Sequence, residues 1–202
     1  MKFICIGKNY ALHAKEMNSE VPTEPVFFLK PETALHRNGK PFFLPSFSNE
    51  IHHEIEVLLL ISQTGKGISE KFAHRYYEQI GIGIDFTARD IQAQCKKGGL
   101  PWEKAKAFDN SAAVGKFYPK DQFDPDKIEF HLTINGETRQ KGSTADLIFS
   151  FDKIISYVSD FITLKKGDVI FTGTPEGVGP VHRNDKIEGF LGNEKALGFN
   201  IK

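Results

Sequence analysis

Two glutamates, Glu54 and Glu56, stand two positions apart in a segment that turns apolar, NEIHHEIEVLLLIS (49–62). Successive side chains of a strand point to opposite faces, so both carboxylates share one face. Like charges side by side repel each other and resist burial. Two carboxylates on one face can reach a single hard cation such as Mg²⁺, which prefers oxygen ligands. The alternative is a solvated strand end at which water keeps both charges.

A third carboxylate, Asp85, lies at the end of the apolar run YYEQIGIGIDF (76–86). Loops that follow strands often place functional residues, although Asp also favours turns for structural reasons. Together with the two glutamates it would give three negative charges around a dication. Nearby cations would balance that charge, and the candidates are Arg89, Lys104 and Lys106.

A histidine and a glutamate, His13 and Glu16, are three residues apart in the helix-forming segment NYALHAKEM (9–17). That spacing lets the side chains meet on a helix, and an imidazole oriented by a carboxylate is a general base. The alternative is an ordinary surface pair. The segment is short and uncapped, so the helix is weak. A weak helix that carries a base resembles an active-site lid.

The loop TGTPEGVGP (172–180) invites a comparison with phosphate-binding loops. It lacks the Gly-Lys-Ser/Thr ending of a P-loop, and the chain contains no GxGxxG fingerprint. A nucleotide-binding module is therefore disfavoured. A Gly/Thr loop that presents backbone N–H groups to a substrate carboxylate is the better interpretation.

The elements that position these residues are mostly strands. Alternation and apolar runs predict strands at 3–7, 25–30, 49–62 and 76–86, and at 167–180 a strand that ends in the Gly/Pro loop. Gly81 and Gly83 indicate close approach of another backbone. KIEFHLTINGETRQKG predicts a hairpin with a type I′ turn at Asn135-Gly136.

Two helices are predicted beyond the lid segment. TARDIQAQCKKGG begins with Thr87 as N-cap, has Asp90 in a capping-box position, and stops at Gly98. SFDKIISYVSDFITL carries apolar residues at helical spacing after a Ser150 cap. Many strands with few helices predict an α+β fold.

Composition narrows the class of protein. The chain has 202 residues, enough for a single domain over 1–202 with a sizeable core. Lys+Arg and Asp+Glu both number 26, which disfavours nucleic acid as a partner. No apolar stretch suits a membrane span or a secretory signal. Two cysteines are too few for a disulfide framework, so we expect a reducing cytoplasm.

With these pieces in order, the chain resembles the fumarylacetoacetate hydrolase family, most closely its short single-domain acylpyruvate hydrolase and oxaloacetate decarboxylase branch. Matching segments run nearly end to end: GKNYALHAKE, EPVFFLKP, HHEIEV, GIDFTARDIQ, GLPWEKAKAFDNSAAVG, NGETRQKGST, LIFSFDKIISYVS and TLKKGDVIFTGTPEGVGPV. The resemblance implies a mixed β-roll fold, assembled as a homodimer.

The resemblance also assigns roles to residues. It implies Mg²⁺, or Mn²⁺, as the cofactor, with ligands Glu54, Glu56 and Asp85. It implies a catalytic dyad of His13 and Glu16 on a lid, together with a carbonyl-polarising Lys106.

Substrate contacts are implied at Lys8, Arg89, Gln92 and Thr174. Family members often carry arginine at the position of Lys8, and lysine offers a point charge rather than a bidentate fork.

The expected reaction is Mg²⁺-dependent hydrolysis of acylpyruvates (2,4-dioxo acids) to pyruvate and a carboxylic acid, with a small oxo acid as the binding partner. Oxaloacetate decarboxylation and isomerisation of a 2-oxo acid would use the same site, because all three reactions pass through an enolate. A non-enzymatic alternative is a binding protein whose cation staples the strand ends. That alternative leaves the pair of His13 and Glu16 without a role.

Overall fold

The computed structural model describes residues 1–16 and 20–202, so residue 17 of the predicted 9–17 helix lies outside the described residues. The strands are β1 (Phe3–Gly7), β2 (Val26–Lys30), β3 (Leu35–Arg37), β4 (Ile51–His53), β5 (Ile55–Ile61), β6 (Tyr77–Asp85), β7 (Thr87–Ala88), β8 (Ala112–Pro119), β9 (Glu129–Ile134), β10 (Glu137–Ser143), β11 (Val169–Phe171), β12 (Gly179–Pro180), β13 (Lys186–Leu191) and β14 (Glu194–Asn200). The helices are α1 (Ala11–Glu16), α2 (Arg89–Gly98), α3 (Glu103–Lys106) and α4 (Phe151–Phe161).

The strands form mixed sheets. The largest has seven strands in the order β2-β1-β11-β5-β6-β8-β3, and a four-stranded sheet has the order β10-β9-β13-β14. A small sheet, β12-β4-β7, lies beside the point where β5 begins. β1 runs parallel to β11 and β3 parallel to β8, whereas the neighbours of β5 are antiparallel. The predicted strand-rich α+β fold is confirmed.

Strand β5 is buried on both faces, which explains its nearly continuous apolar sequence. Ile55, Val57 and Leu59 belong to the core between the two larger sheets, and Leu58 belongs to a second core on the opposite face. The predicted strand 49–62 is divided at Glu54, because β4 pairs with β7 and β12 in the small sheet while β5 pairs with β6 and β11. The chain therefore changes sheets at Glu54, immediately before β5 begins.

The predicted close backbone approach at β6 is present. A Cβ added to Gly83 would lie 2.5 Å from the carbonyl oxygen of Ala113 on β8, so only glycine fits there. The β9–β10 hairpin turns at Asn135 and Gly136 with φ values of 55° and 85°. Two positive φ values are what a type I′ turn requires.

The predicted helix over SFDKIISYVSDFITL is present as α4, and the Ser150 hydroxyl accepts a hydrogen bond from the backbone N–H of Lys153. Phe151, Ile154 and Val158 on the predicted stripe are buried. Phe161, the last residue of the helix, belongs to the same predicted stripe but is 59% exposed.

The predicted start of the α2 helix is wrong. Thr87 is a β7 residue paired with His52, and the cap position is Ala88, which has no side-chain cap. The carboxylate of Asp90 accepts hydrogen bonds from Ser48 Oγ and the Asn49 N–H instead of closing a capping box. Pairing with β4 thus overrides the local capping pattern.

The predicted stop of α2 is displaced by one residue. Gly98 is the last helical residue, and the left-handed cap is Gly99 with φ 61°. The Gly98-Gly99 pair therefore marks the correct end of the helix, but the capping residue is Gly99 rather than Gly98.

None of the helices in the described ranges is long and apolar enough to cross a membrane.

Candidate active site

Three buried carboxylates lie close together at the beginning of β5 and the end of β6. Glu54 precedes β5, Glu56 lies on it, and Asp85 closes β6, whose final N–H donates a hydrogen bond to the Glu54 carbonyl at 2.9 Å. Their side chains are 5%, 2% and 1% exposed, and one oxygen of each lies within 4.8 Å of the others. These carboxylates do not lie at a solvated strand end.

Protein cations neutralise the first of these carboxylates. Lys106 Nζ donates to Glu54 Oε2 at 2.7 Å and to Asp85 Oδ2 at 3.0 Å. Arg89 Nη2 donates to Glu54 Oε1 at 2.5 Å. Of the three cations that sequence offered for charge balance, Lys104 is exposed and takes no part.

A fully buried lysine that no sequence pattern singled out, Lys30, supplies the third positive charge. Lys30 closes β2; its Nζ lies 2.6 Å from Asp85 Oδ1 and donates hydrogen bonds to the carbonyls of Ser111 and Phe86. The available signal was a charged residue closing the apolar strand PVFFLK. Its partner is not predictable from that signal, because Asp85 lies on a strand distant in sequence.

Replacing Lys30 by methionine should lower the free energy of unfolding by about 3–5 kcal/mol, because the Asp85 charge would remain buried with one fewer counter-charge. Urea denaturation measures the effect. The control is Lys127→Met, since Lys127 is a 77% exposed partner of Asp124, and we expect a change within about 0.5 kcal/mol there. Equal stability of the two variants would contradict the role of Lys30.

The electrostatic environments of the two glutamates differ. Burial alone would raise the pKa of Glu54, but the Lys106 ammonium and the Arg89 guanidinium hold it well below its usual value. Burial raises the pKa of Glu56 well above its usual value, and the Asp85 and Glu54 charges raise it further. Glu56 is thus the carboxylate least compensated by protein cations, and an added cation would relieve it most.

The carboxylates fit a divalent cation. They offer three hard oxygen donors in a buried cluster, the ligand type that Mg²⁺ and Mn²⁺ prefer. Oδ1 of Asp85 receives no hydrogen bond from any described residue, because its contact with Lys30 is an ion pair outside hydrogen-bonding angles. Lys106 already places a positive charge in contact with two of the three carboxylates, Glu54 and Asp85.

The predicted dyad faces the carboxylates from α1. His13 Nδ1 lies 3.1 Å from Glu16 Oε2, and Glu16 Oε1 accepts a hydrogen bond from the Gly177 N–H at 3.1 Å. Because the carboxylate can only accept from the ring, Nδ1 carries the hydrogen and Nε2 is left able to take a proton.

One cavity connects the predicted site residues. Nine of the ten predicted site residues line it: Lys8, His13, Glu54, Glu56, Asp85, Arg89, Gln92, Lys106 and Thr174. The tenth, Glu16, does not line the cavity but contacts His13, which does. Its volume is about 40 Å³, room for a few water molecules.

The predicted substrate contacts are held in different ways. Arg89 Nη1 donates to Gln92 Oε1 at 2.7 Å, and Nε of the same guanidinium donates to His52 Nδ1 at 3.3 Å. Thr174 Oγ1 donates to the Ile55 carbonyl. Lys8 lies in the left-handed region with φ 60°, a conformation often found at functional sites.

One further cation faces the cavity without having been singled out in the sequence. Lys96 lines it from α2, and its pKa is lowered by burial and by the Arg89 and Lys8 charges. Lys8, Arg89 and Lys96 thus bring positive charge to the cavity wall, which suits an acid substrate.

A family model described as "Fumarylacetoacetate (FAA) hydrolase C-terminal" matches residues 2–197. The chain belongs to the fumarylacetoacetate hydrolase family. Members of this family are enzymes, and this chain is one of them. The predicted β-roll fold of the family is likewise confirmed.

Relatives within the fumarylacetoacetate hydrolase family cover nearly the whole chain. "Oxaloacetate tautomerase FAHD1, mitochondrial" of Mus musculus is 46% identical over 98% of this chain and 90% of its own length. "Oxaloacetate tautomerase YcgM" of Escherichia coli is 47% identical over 92% of this chain and 86% of its own. A fumarylpyruvate hydrolase from Pseudomonas aeruginosa, solved in complex with Mn²⁺ and pyruvate, superposes with a TM-score of 0.94 at 36% identity, covering 100% of this chain and 89% of that one.

Proposed function

We propose that the enzyme uses Mg²⁺ or Mn²⁺ to form an enolate from a small 2-oxo acid, and that it hydrolyses acylpyruvates to pyruvate and a carboxylic acid. The observation that carries this proposal is the buried cluster of three carboxylates facing a His–Glu dyad across one cavity. A cation that only stapled strands together would need no such dyad.

The cation would be held by Glu54, Glu56 and Asp85. When bound, it would supply a Lewis acid for the 2-oxo oxygen and for the negative charge that develops there. A cation in the cluster would also take over part of the neutralisation of Glu54, so Arg89 and Lys106 could turn donors toward the substrate.

His13 would act as the general base in hydrolysis. Nε2 would take a proton from water as the water oxygen attacks the 4-carbonyl of the dioxo acid, while Glu16 stabilises the imidazolium through Nδ1. Breaking of the C3–C4 bond releases the carboxylic acid and leaves the pyruvate enolate, to which a proton returns at C3.

Lys106 would stabilise the oxyanion that forms at the 4-carbonyl. Two of its three N–H groups go to Glu54 and Asp85, which leaves one for the substrate. Burial alone would lower the pKa of Lys106, but the Asp85 and Glu54 carboxylates raise it above its usual value, so the group stays positively charged.

A second candidate function is tautomerisation of oxaloacetate, which the two relatives that are 46% and 47% identical favour. In that reaction a proton leaves the enol oxygen and another arrives at C3 as the C2–C3 double bond is replaced by the 2-oxo group, with no water attack and no carbon–carbon σ bond cleaved. Oxaloacetate decarboxylation would form the same enolate by loss of CO₂.

Proton NMR of the protein with Mg²⁺ separates these candidates. We expect acetylpyruvate to give acetate and pyruvate in equal amounts, and EDTA to stop the reaction. Faster ketonisation of enol-oxaloacetate, followed by ultraviolet absorbance, would make tautomerisation the main activity. If neither substrate reacts faster than in buffer with Mg²⁺ alone, the proposed function is wrong.

We also propose a homodimer in the cytoplasm that binds neither nucleic acid nor membranes. Buried free thiols at Cys5 and Cys95 suit a reducing compartment, and exposed Phe43 and Phe47 offer apolar surface for self-association. Light scattering coupled to gel filtration tests the dimer, and a mass of one chain would contradict it.

A further inference from the structure

Gln140 is a buried polar residue on β10, outside the cavity, and only 1% exposed. The β9–β10 pairing shifts register between Thr138 and Gln140. A bulge of this kind re-aims the side chain that follows it. The Gln140 side chain thereby leaves the four-stranded sheet and enters the junction between β4 and β5.

The Gln140 amide uses its full hydrogen-bonding capacity. Oε1 accepts from the Ile55 N–H at 3.0 Å and from His53 Nδ1 at 2.8 Å. Nε2 donates to Thr174 Oγ1 and to the Pro175 carbonyl, both at 2.9 Å. Two acceptor and two donor bonds fix the orientation of the amide.

The hydrogen bond that Gln140 Oε1 accepts from Ile55 fixes the backbone between two candidate metal ligands. Ile55 separates Glu54 from Glu56; its N–H goes to Gln140, and its carbonyl accepts from Thr174 Oγ1 at 2.9 Å. Thr174 is itself held by Gln140. The Gln140 amide therefore fixes the backbone N–H of Ile55 directly and its carbonyl through the Thr174 hydroxyl.

The second pair controls the loop after β11. The Gly173 N–H donates to Glu56 Oε2 at 2.7 Å, and the Gly177 N–H donates to Glu16 Oε1 at 3.1 Å. Thr174 and Pro175, which Gln140 holds, lie between these two donors. The same loop thus supports one carboxylate of the cluster and the carboxylate of the dyad.

The loop has no room to shift against β10. A Cβ on Gly177, whose φ is 89°, would lie 2.6 Å from the Arg139 carbonyl oxygen, and a Cβ on Gly142 would lie 2.9 Å from Pro175 Cγ. A change on β10 is therefore transmitted to the loop rather than absorbed between them.

We propose that Gln140 is a positioning residue that fixes the carboxylate cluster and the His13–Glu16 dyad in position relative to each other. It touches no substrate; it acts through Ile55 and through the loop that carries Thr174. This role rests on the proposed metal site. Gln140 would hold together its two parts, the carboxylate cluster and the dyad.

The test is Gln140→Glu, which keeps acceptors for Ile55 and His53 but loses both donors to the loop. We expect Mn²⁺ affinity, measured by calorimetry, to fall about tenfold or more, as when partners that orient metal ligands are lost. We expect kcat to fall by a similar factor, while KM changes less than about threefold because the cavity walls remain.

Thr133→Val is the matched control. Thr133 is a buried residue of the neighbouring strand β9, and its hydroxyl has no hydrogen-bond partner among the described residues. Both Mn²⁺ affinity and kcat should stay within about twofold of wild type. If Gln140→Glu does not fold, Gln140→Met, which is similar in length and uncharged, takes its place in the same measurements.

A double-mutant cycle with Glu16→Gln separates positioning from general destabilisation. If Gln140 acts through the Gly177 contact, its substitution should lower kcat much less in the Glu16→Gln background. Additive losses, or a folded Gln140→Glu variant with wild-type Mn²⁺ affinity, would overturn the proposal. Wild-type protein that binds Mn²⁺ but turns over no oxo acid would overturn the proposed function instead, and the affinity comparison would still decide the role of Gln140.

Discussion

Glu56→Gln should abolish turnover and remove most of the affinity for Mg²⁺ and Mn²⁺. Glu56 is the carboxylate that protein cations compensate least, since Lys106 and Arg89 both bind Glu54 while Glu56 receives the Gly173 N–H. The amide is the same size as the carboxylate, so packing is retained while a charged oxygen ligand is lost. A cation would therefore lose one of the three negative charges that the cluster offers it.

Thermal unfolding with and without Mn²⁺ gives a readout independent of turnover. At a hundredfold excess over its dissociation constant, a cation that binds only the folded state stabilises it by about 2.7 kcal/mol. Wild type should show this stabilisation, and Glu56→Gln should not.

Asp168→Asn is the control, because Asp168 is a buried carboxylate ion-paired with Lys2, and neither residue lines the cavity. It should lose stability but keep the response to Mn²⁺. A Glu56→Gln enzyme with full activity would refute the metal assignment.

His13→Ala should lower acylpyruvate hydrolysis about a hundredfold or more, the usual contribution of a positioned general base. The imidazole is 7% exposed, faces the cavity and is oriented by Glu16. Its loss removes the proton acceptor without touching the three carboxylates, so Mn²⁺ affinity should stay near that of wild type.

Leu12→Ala is the matched control on the same helix, because Leu12 is 61% exposed. We expect its kcat to remain within about twofold of wild type. Oxaloacetate decarboxylation should depend on His13 less than hydrolysis does, since no water attacks. Unchanged hydrolysis in His13→Ala would remove this residue from the mechanism.

Three protein cations balance the charge of the three buried carboxylates, which allows the fold to bury them. Lys30, Arg89 and Lys106 contact Asp85 or Glu54 at 2.5–3.0 Å. The spacing of the two glutamates in the sequence predicted that a divalent cation neutralises them. The structure adds that Glu54 is neutralised by the chain itself, which leaves Glu56 as the residue where an added cation changes most.

Local patterns predicted much of the fold. Alternation and apolar runs predicted strands within 49–62 and 76–86, the Asn135-Gly136 pair predicted a turn, and Ser150 predicted a helix cap, because each of these is decided by neighbours in sequence. Thr87 failed as a cap because β4, distant in sequence, pairs with it.

The carboxylate cluster was partly predictable for a similar reason. Glu56 lies on β5 and Glu54 directly precedes it, while Asp85 closes β6, the strand that pairs with β5. Lys30 and Gln140 were not predictable, because their partners lie on other sheets or strands and no local pattern marks such contacts.

A crystal structure with Mn²⁺ and pyruvate, with anomalous diffraction data, tests the central claim most directly. We predict one anomalous peak per chain at roughly 2.0–2.3 Å from carboxylate oxygens of Glu54, Glu56 and Asp85, with pyruvate in the cavity beside His13. An empty cluster at saturating Mn²⁺, together with activity that survives EDTA, would contradict it.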